Sequence, residues 1–200
     1  RNVTGVQTCA LPISRLVHVS TDCVFDGGRG GYTERDRPDA DEDYGCSKRD
    51  GEPTGEHVLT IRSSHIGIEL QPGLSLVEWA IAQRGRRVDG YRGVRYTGLV
   101  VVSMARLLRR VIDRHPTLTG CFHVASAPIR KDELLRRISD ALSLKLDVRS
   151  VDAPSLDRTL DGRAFEARTG LSVPIWDEMC ADLAASAHAY RHRDDLHSRR

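Results

Sequence analysis

Short, β-branched apolar runs alternate along this chain with stretches in which apolar residues recur every three or four positions. Leu16-Val17-His18-Val19-Ser20 and Val58-Leu59-Thr60-Ile61-Arg62-Ser63 are runs of the first kind and read as buried parallel strands. Cys121-Phe122-His123-Val124-Ala125 and residues 146–151 read as further strands. Helical spacing covers 74–83, with Leu74, Val77 and Ile81 on one face. It covers 102–113, with Met104, Leu107, Leu108 and Val111 inward and Arg106, Arg109 and Arg110 outward. It also covers 131–142, with Leu134, Leu135, Ile138 and Leu142 as the stripe. A short helix over 164–169 is ended by Gly170, and a last helix spans 175–189. Asp43 is placed to cap a helix carrying Tyr44 and Lys48, and Pro53 to end or kink it. Between the first strand and that helix lie the glycine-rich loop 26–31 and an acidic stretch over 34–43. Strands alternating with helices predict an α/β fold.

Composition narrows the partners. The 200 residues, 40% of them hydrophobic, suit one domain or one and a half. A net charge of +2 argues against a nucleic acid or a membrane surface as partner. No apolar run approaches the ~20 residues needed to cross a bilayer. Five scattered cysteines show neither a disulfide framework nor a metal-ligand spacing, so no metal is expected and a reducing cytoplasm fits best. Residues 1–14 show no helical or strand periodicity. They resemble the conceptual translation of a sequencing-library adapter, and are read as a foreign segment set apart from the fold.

The candidate chemistry centres on Tyr44-Gly45-Cys46-Ser47-Lys48. A Tyr and a Lys four residues apart share one face of a helix. The ammonium favours the phenolate, so the Tyr44 pKa is expected below its usual value of about 10. Lysine is scarce here, with three against 27 arginines. Arginine serves this purpose less well because its charge is delocalised.

Ser20-Thr21-Asp22-Cys23-Val24-Phe25-Asp26-Gly27, then Tyr44 and Lys48, then Ile61-Arg62-Ser63-Ser64, resemble the extended short-chain dehydrogenase/reductases. Among these they are most similar to the dTDP-4-dehydrorhamnose reductase group. The resemblance runs from about residue 15 to 189, with a weaker pattern at Leu160-Asp161, Phe165, Thr169-Gly170 and Trp176. It implies the C-terminal part of a Rossmann-type parallel sheet plus a small α/β substrate-binding domain. It also implies NADP- or NAD-dependent reduction of a nucleotide-linked 4-keto-6-deoxy sugar. By the same resemblance Tyr44 would protonate the sugar oxygen, Lys48 would lower the Tyr44 pKa and hold the nicotinamide ribose, and Thr21 would polarise the carbonyl. Ser20 and Arg62 join Tyr44 and Lys48 as cofactor-binding candidates. Asp22, Cys23, Phe25, Ser64 and His65 join Thr21 as substrate-binding candidates. Bland alternatives stand beside these roles. Thr21 could cap its strand, Asp22 could tie down the loop, and Arg62 could pair with an acidic neighbour. His18 and His123 read as core residues rather than metal ligands.

Three departures from the group matter. Cys23 and His65 stand where the rhamnose reductases carry a Tyr and a Trp, which removes stacking area for the sugar. A different nucleotide sugar is therefore plausible. No Gly-rich pyrophosphate turn occurs anywhere in the sequence. The chain therefore reads as the C-terminal two-thirds of an enzyme, itself inactive and unable to bind NAD(P)H. The expected division is 1–14 foreign, 15–66 a partial Rossmann domain, 67–190 a substrate-binding region with the remaining sheet elements, and 191–200 a disordered tail. The first strand is expected to present an open apolar edge, with poor solubility or a homodimer as the outcome. Two competing readings are a sugar-nucleotide epimerase or dehydratase of the same superfamily, and a non-catalytic subunit resembling the regulatory β subunit of methionine adenosyltransferase.

Overall fold

The computed structural model describes residues 15–69 and 75–197. The segment read as foreign, Leu74 and the last residues of the expected tail lie outside them. The protein is α/β, with parallel pairing in most of its sheets. Strand β1 (Leu16–Ser20) pairs in parallel with β2 (Val58–Arg62), and β2 pairs in parallel with β7 (Gly120–His123). Strand β2 lies in the middle and all five of its residues are buried, Thr60 and Arg62 together with the apolar Val58, Leu59 and Ile61. Strand β1 has β2 as its sole partner among the described residues, and Val19 is 40% exposed there.

Register does the positioning. Ser20 stands opposite Arg62, and Arg62 opposite His123, so one polar row crosses the carboxyl end of this sheet. Functional groups of α/β proteins gather at that end. A 3₁₀ turn (Asp22–Val24) follows β1, and helix α1 (Asp43–Asp50) lies over it. Glu42, not Asp43, is the N-cap of α1, and no side chain caps it. Asp43 is already helical, which places its carboxylate in the first turn, where the helix dipole favours it.

The smaller pairings lie beyond residue 64. Strand β3 (His65–Ile66) pairs with β6 (Leu99–Val100), and β4 (Arg87–Tyr91) with β9 (Asp147–Val151). Strand β5 (Val94–Tyr96) sits between β8 (Ile129–Arg130) and β10 (Leu156–Asp157). Helix α2 (Leu76–Ala82) starts after a Ser75 side-chain cap. Helices α3 (Val101–Arg114) and α4 (Lys131–Ala141) turn Met104, Leu107, Val111, Leu134 and Ile138 into the main core, as their periodicity predicts. Helix α5 (Arg163–Thr169) ends at Gly170, left-handed at φ 64°. Helix α6 (Trp176–His197) runs past Ala189 into the expected tail, because no Gly or Pro interrupts it. Strand β7 stops at His123, short of the predicted Ala125. A second, small cluster joins Val24, Phe25, Tyr32 and Leu160 beneath the glycine-rich loop.

Asp132, at the start of α4, is wholly buried and clamps that helix to β9. It accepts from Arg130 at 2.9 Å, Arg136 at 3.0 Å and the Ser150 hydroxyl at 2.7 Å. The Arg130 hydrogen bond leads these contacts in holding its carboxyl far below the ordinary 3.8, against the effect of burial. Asp132→Ala removes the acceptor of these charge-assisted hydrogen bonds, while both guanidinium groups keep access to water, and is expected to destabilise the protein by about 1–3 kcal/mol at pH 7. The folded pKa is the lower one, so this contribution is full above the unfolded value and shrinks as pH falls below about 4. Urea melts of both proteins from pH 7 downward check this, through a gap that narrows in acid.

Candidate active site

Helix α1 approaches the turn after β1 more closely than side chains normally allow. A Cβ on Gly45 would collide with the Cys23 carbonyl oxygen and with the Ala40 side chain. Only glycine fits, and the adjacent Tyr44 is thereby brought near the 3₁₀ turn. The Cys46 thiol and the Arg49 guanidinium both donate to the Ala40 carbonyl, at 3.1 and 3.0 Å, and hold the helix from its other side.

This contact brings the predicted trio together. The Thr21 hydroxyl lies within hydrogen-bonding influence of the Tyr44 phenol, and the Lys48 ammonium stands 5.7 Å from the Tyr44 ring centroid. Tyr44 is 55% exposed. Thr21 is also the N-cap of the 3₁₀ turn. Its Oγ1 accepts from the Cys23 N–H and donates to Asp22 Oδ1, each at 3.1 Å. To reach a substrate carbonyl, that hydroxyl would have to turn away from Asp22.

The phenol departs from expectation. Its pKa is raised, not lowered. Partial burial is the largest cause, and Cys23, Asp22 and Glu42 add to it, while the Thr21 hydroxyl opposes. Lys48 lies over the face of the ring rather than beside the oxygen, where its charge would act most strongly. Asp22 itself is buried, and burial pushes its carboxyl up against hydrogen bonds from Thr21 and Cys23. Burial and Asp22 likewise push the Cys23 thiol up.

The other candidates divide. Ser20 and Arg62 face inward onto Glu52, a residue the sequence reading missed. The Ser20 hydroxyl donates to Glu52 Oε1 at 2.6 Å, and Arg62 makes a bidentate pair with Glu52 at 2.8 and 2.7 Å. Of the two readings left open for Arg62, the structure gives the acidic pair. Burial alone would raise the Glu52 pKa, but Arg62 and Ser20 outweigh it and hold the carboxylate below its ordinary range. The Arg62 guanidinium also lies 3.5 Å from His123 Nε2 and 5.5 Å from the Phe25 ring centroid. His123 is a buried core residue, as expected, and burial lowers its pKa. Phe25 is wholly buried and stacks on Tyr32 at 4.2 Å, which removes it from the substrate-facing set. Its ring completes the small core under the loop instead. Ser64 is half-buried, and its carbonyl accepts from the Leu99 N–H at 2.9 Å. His65 is exposed on β3, and no hydrogen bond or ring contact joins it to Thr21 or Tyr44 among the described residues.

Arg158, from the segment after β10, is the second residue that the sequence reading missed. Its Nη1 lies 3.5 Å from Cys23 Sγ and its Nη2 2.7 Å from Glu42 Oε1. No local pattern marks it. Glu52 lies beyond the end of α1 and likewise carries no local signal.

Gly45→Ala is expected to push α1 off the turn and part Tyr44 from Thr21. The methyl meets backbone, which cannot rotate away, and the cost should be about 1–3 kcal/mol. Urea melts measure the loss. Ultraviolet titration, with Tyr44→Phe as the blank, should place the wild-type Tyr44 phenol above 10 and closer to 10 in the Gly45→Ala protein.

Comparison with known proteins places these features. Residues 3–67 match the family model described as the RmlD substrate binding domain, an alignment that begins inside the segment read as foreign. No curated protein matches the chain. A hypothetical dTDP-4-dehydrorhamnose reductase from Sulfolobus tokodaii is 28% identical, with a TM-score of 0.66 over 81% of this chain and 60% of its own. A dTDP-4-dehydrorhamnose reductase from Bacillus anthracis, solved with NADP, is 21% identical, with a TM-score of 0.70 over 85% and 65%. A dTDP-glucose 4,6-dehydratase from Bacillus anthracis, solved with NAD, is 16% identical, with a TM-score of 0.65 over 88% and 62%. The chain thus spans 60–65% of the length of the reductases it resembles. Matched over residues 3–67 by the RmlD substrate binding domain model, this chain has the Rossmann-like α/β fold of the dTDP-4-dehydrorhamnose reductases and related sugar-nucleotide enzymes.

Proposed function

We propose that this chain is the sugar-binding and proton-donating part of an NAD(P)H-dependent reductase acting on a nucleotide-linked 4-keto-6-deoxy sugar. One observation carries the reading. The Thr21 hydroxyl, just past the end of β1, bears electrostatically on the Tyr44 phenol, and the Lys48 ammonium stands 5.7 Å from the Tyr44 ring centroid. A carbonyl being reduced needs a hydrogen-bond donor and a proton source at its oxygen and a cation nearby.

The nicotinamide cofactor would supply the hydride. Tyr44 and Lys48, both exposed, fit a role against its ribose. Ser20 and Arg62 do not, because their polar groups are turned onto Glu52. No Gly-rich turn in this sequence could hold the pyrophosphate. The reading therefore takes the 200 residues by themselves to bind NADPH poorly and to turn over nothing. It also implies a cytoplasmic setting, where reduced nicotinamide and nucleotide sugars are available.

A phenol shifted toward its protonated form carries the proton that a carbonyl oxygen needs on reduction.

In a protein that contains this chain and oxidises NADPH with a dTDP-4-keto-6-deoxy sugar, Tyr44→Phe is expected to lower kcat by roughly 10²–10⁴-fold. Absorbance at 340 nm follows the rate. A Tyr44→Phe protein at full rate would overturn the assignment. Fluorescence titration of the 200-residue chain with NADPH checks the second point, with micromolar binding as the contrary result.

A further inference from the structure

Lys48 depends on the helix that carries it. Its ammonium stands over the Tyr44 ring, and among the described residues no hydrogen bond or ion pair holds it. Its place is therefore set by the last turn of α1, to which it belongs. Gly45 pins that helix to the turn after β1, but at the residue next to Tyr44 and before the last turn. A helix held at one point can still pivot about it. Arg49 adds a tie to the Ala40 carbonyl at 3.0 Å, which reaches only the loop.

Glu52 supplies the tie to the sheet. Its own N–H donates to the Arg49 carbonyl at 3.2 Å, and the Gly51 N–H donates to the Ser47 carbonyl at 3.1 Å, so Glu52 is fixed to the end of that turn. Its carboxylate accepts from the Ser20 hydroxyl at 2.6 Å and from two nitrogens of Arg62 at 2.8 and 2.7 Å. Ser20 and Arg62 stand opposite each other on β1 and β2, and Thr21 follows Ser20 in the chain. One carboxylate thereby registers the turn that carries Lys48 against the strand end that leads into Thr21. The pair is shielded, with 8% of the Arg62 side chain and 14% of the Glu52 side chain exposed. Salt screens such a pair little, and a bidentate guanidinium fixes direction as well as distance.

Resting on the reductase reading, we propose that Glu52 is a positioning residue for Lys48. Its clamp on Ser20 and Arg62 holds the ammonium where the nicotinamide ribose is bound, while Tyr44 keeps its own anchor at Gly45.

Fluorescence titration with NADPH tests this in a protein that contains this chain and oxidises NADPH with a dTDP-4-keto-6-deoxy sugar. Glu52→Gln is expected to weaken NADPH binding roughly tenfold, about as much as Lys48→Met. The double variant should bind no more weakly than Lys48→Met alone, because both changes remove the same contact. At saturating NADPH, kcat of Glu52→Gln should stay within about twofold of wild type, since the loss lies in binding. Additive weakening in the double variant overturns the inference, because Glu52 then acts apart from Lys48. So does a Glu52→Gln protein that binds as tightly as wild type beside a weakened Lys48→Met. A Lys48→Met protein as tight as wild type overturns the part that the reductase reading gives Lys48, and this inference with it. Where circular dichroism shows Glu52→Gln unfolded, Ser20→Ala takes its place in the cycle. That change loosens the carboxylate without unpairing Arg62. It is expected to weaken NADPH binding roughly threefold in wild type and not at all in Lys48→Met. Equal weakening in both, or in neither, overturns the inference.

Discussion

The missing side chain at Gly45 is the constraint on which the site depends. Helix α1 can rest on the Cys23 carbonyl only because nothing projects from position 45. That contact sets the distance of Tyr44 and Lys48 from the end of β1. Loop chemistry alone would not fix it, since the segment between β1 and α1 is long and rich in glycine. The small aromatic core beneath that loop supplies the opposing rigidity. Phe25 and Tyr32 stack, Tyr32 donates to Asp26 at 2.7 Å, and the loop closes over a packed base. The catalytic candidates therefore stand between two firm surfaces.

A second constraint lies one layer below. Glu52, from the segment following α1, receives Ser20 and Arg62 from the ends of β1 and β2, and Arg62 leads on to His123 at the end of β7. His123 in turn reaches the Tyr32 carbonyl at 3.0 Å, and its N–H donates to Glu34 at 2.8 Å. Three strand ends, the exit of α1 and the long loop are thus tied by one partly buried polar network. Such a network is stabilising only when every member is satisfied, and losing one member leaves a charge without its partner. Glu52 is therefore more a positioning residue for α1 than a ligand of any cofactor.

Much of this was legible in the sequence, for physical reasons. Strand β2 and helices α3 and α4 have one strong period each, and Leu107, Val111, Leu134 and Ile138 fall where that period puts them. That Thr21 and Tyr44 belong to one site was implied by the resemblance of their motifs to a known group, not by any period in the sequence. The two-residue strands β3, β6, β8 and β10 carry no period, and pairing across the fold defines them instead. Phe25 looked like a ligand contact because its burial depends on Tyr32, whose stacking no local pattern encodes. The shift of the Tyr44 phenol was misread for a similar reason. The sequence displays the lysine four residues away, whereas Cys23 and Asp22 approach only once α1 has docked. Arg158 belongs to the same class, brought to Cys23 by the segment after β10.

The electrostatic arrangement then gives Asp22 a part that its sequence position did not disclose. Its carboxylate accepts the Thr21 proton, which keeps that hydroxyl directed inward. Burial raises the Asp22 pKa, and partial burial likewise disfavours the Tyr44 phenolate. The two acids on either side of Thr21 are thus both shifted toward their proton-bearing forms by the same cause, the docking of α1 on the turn after β1.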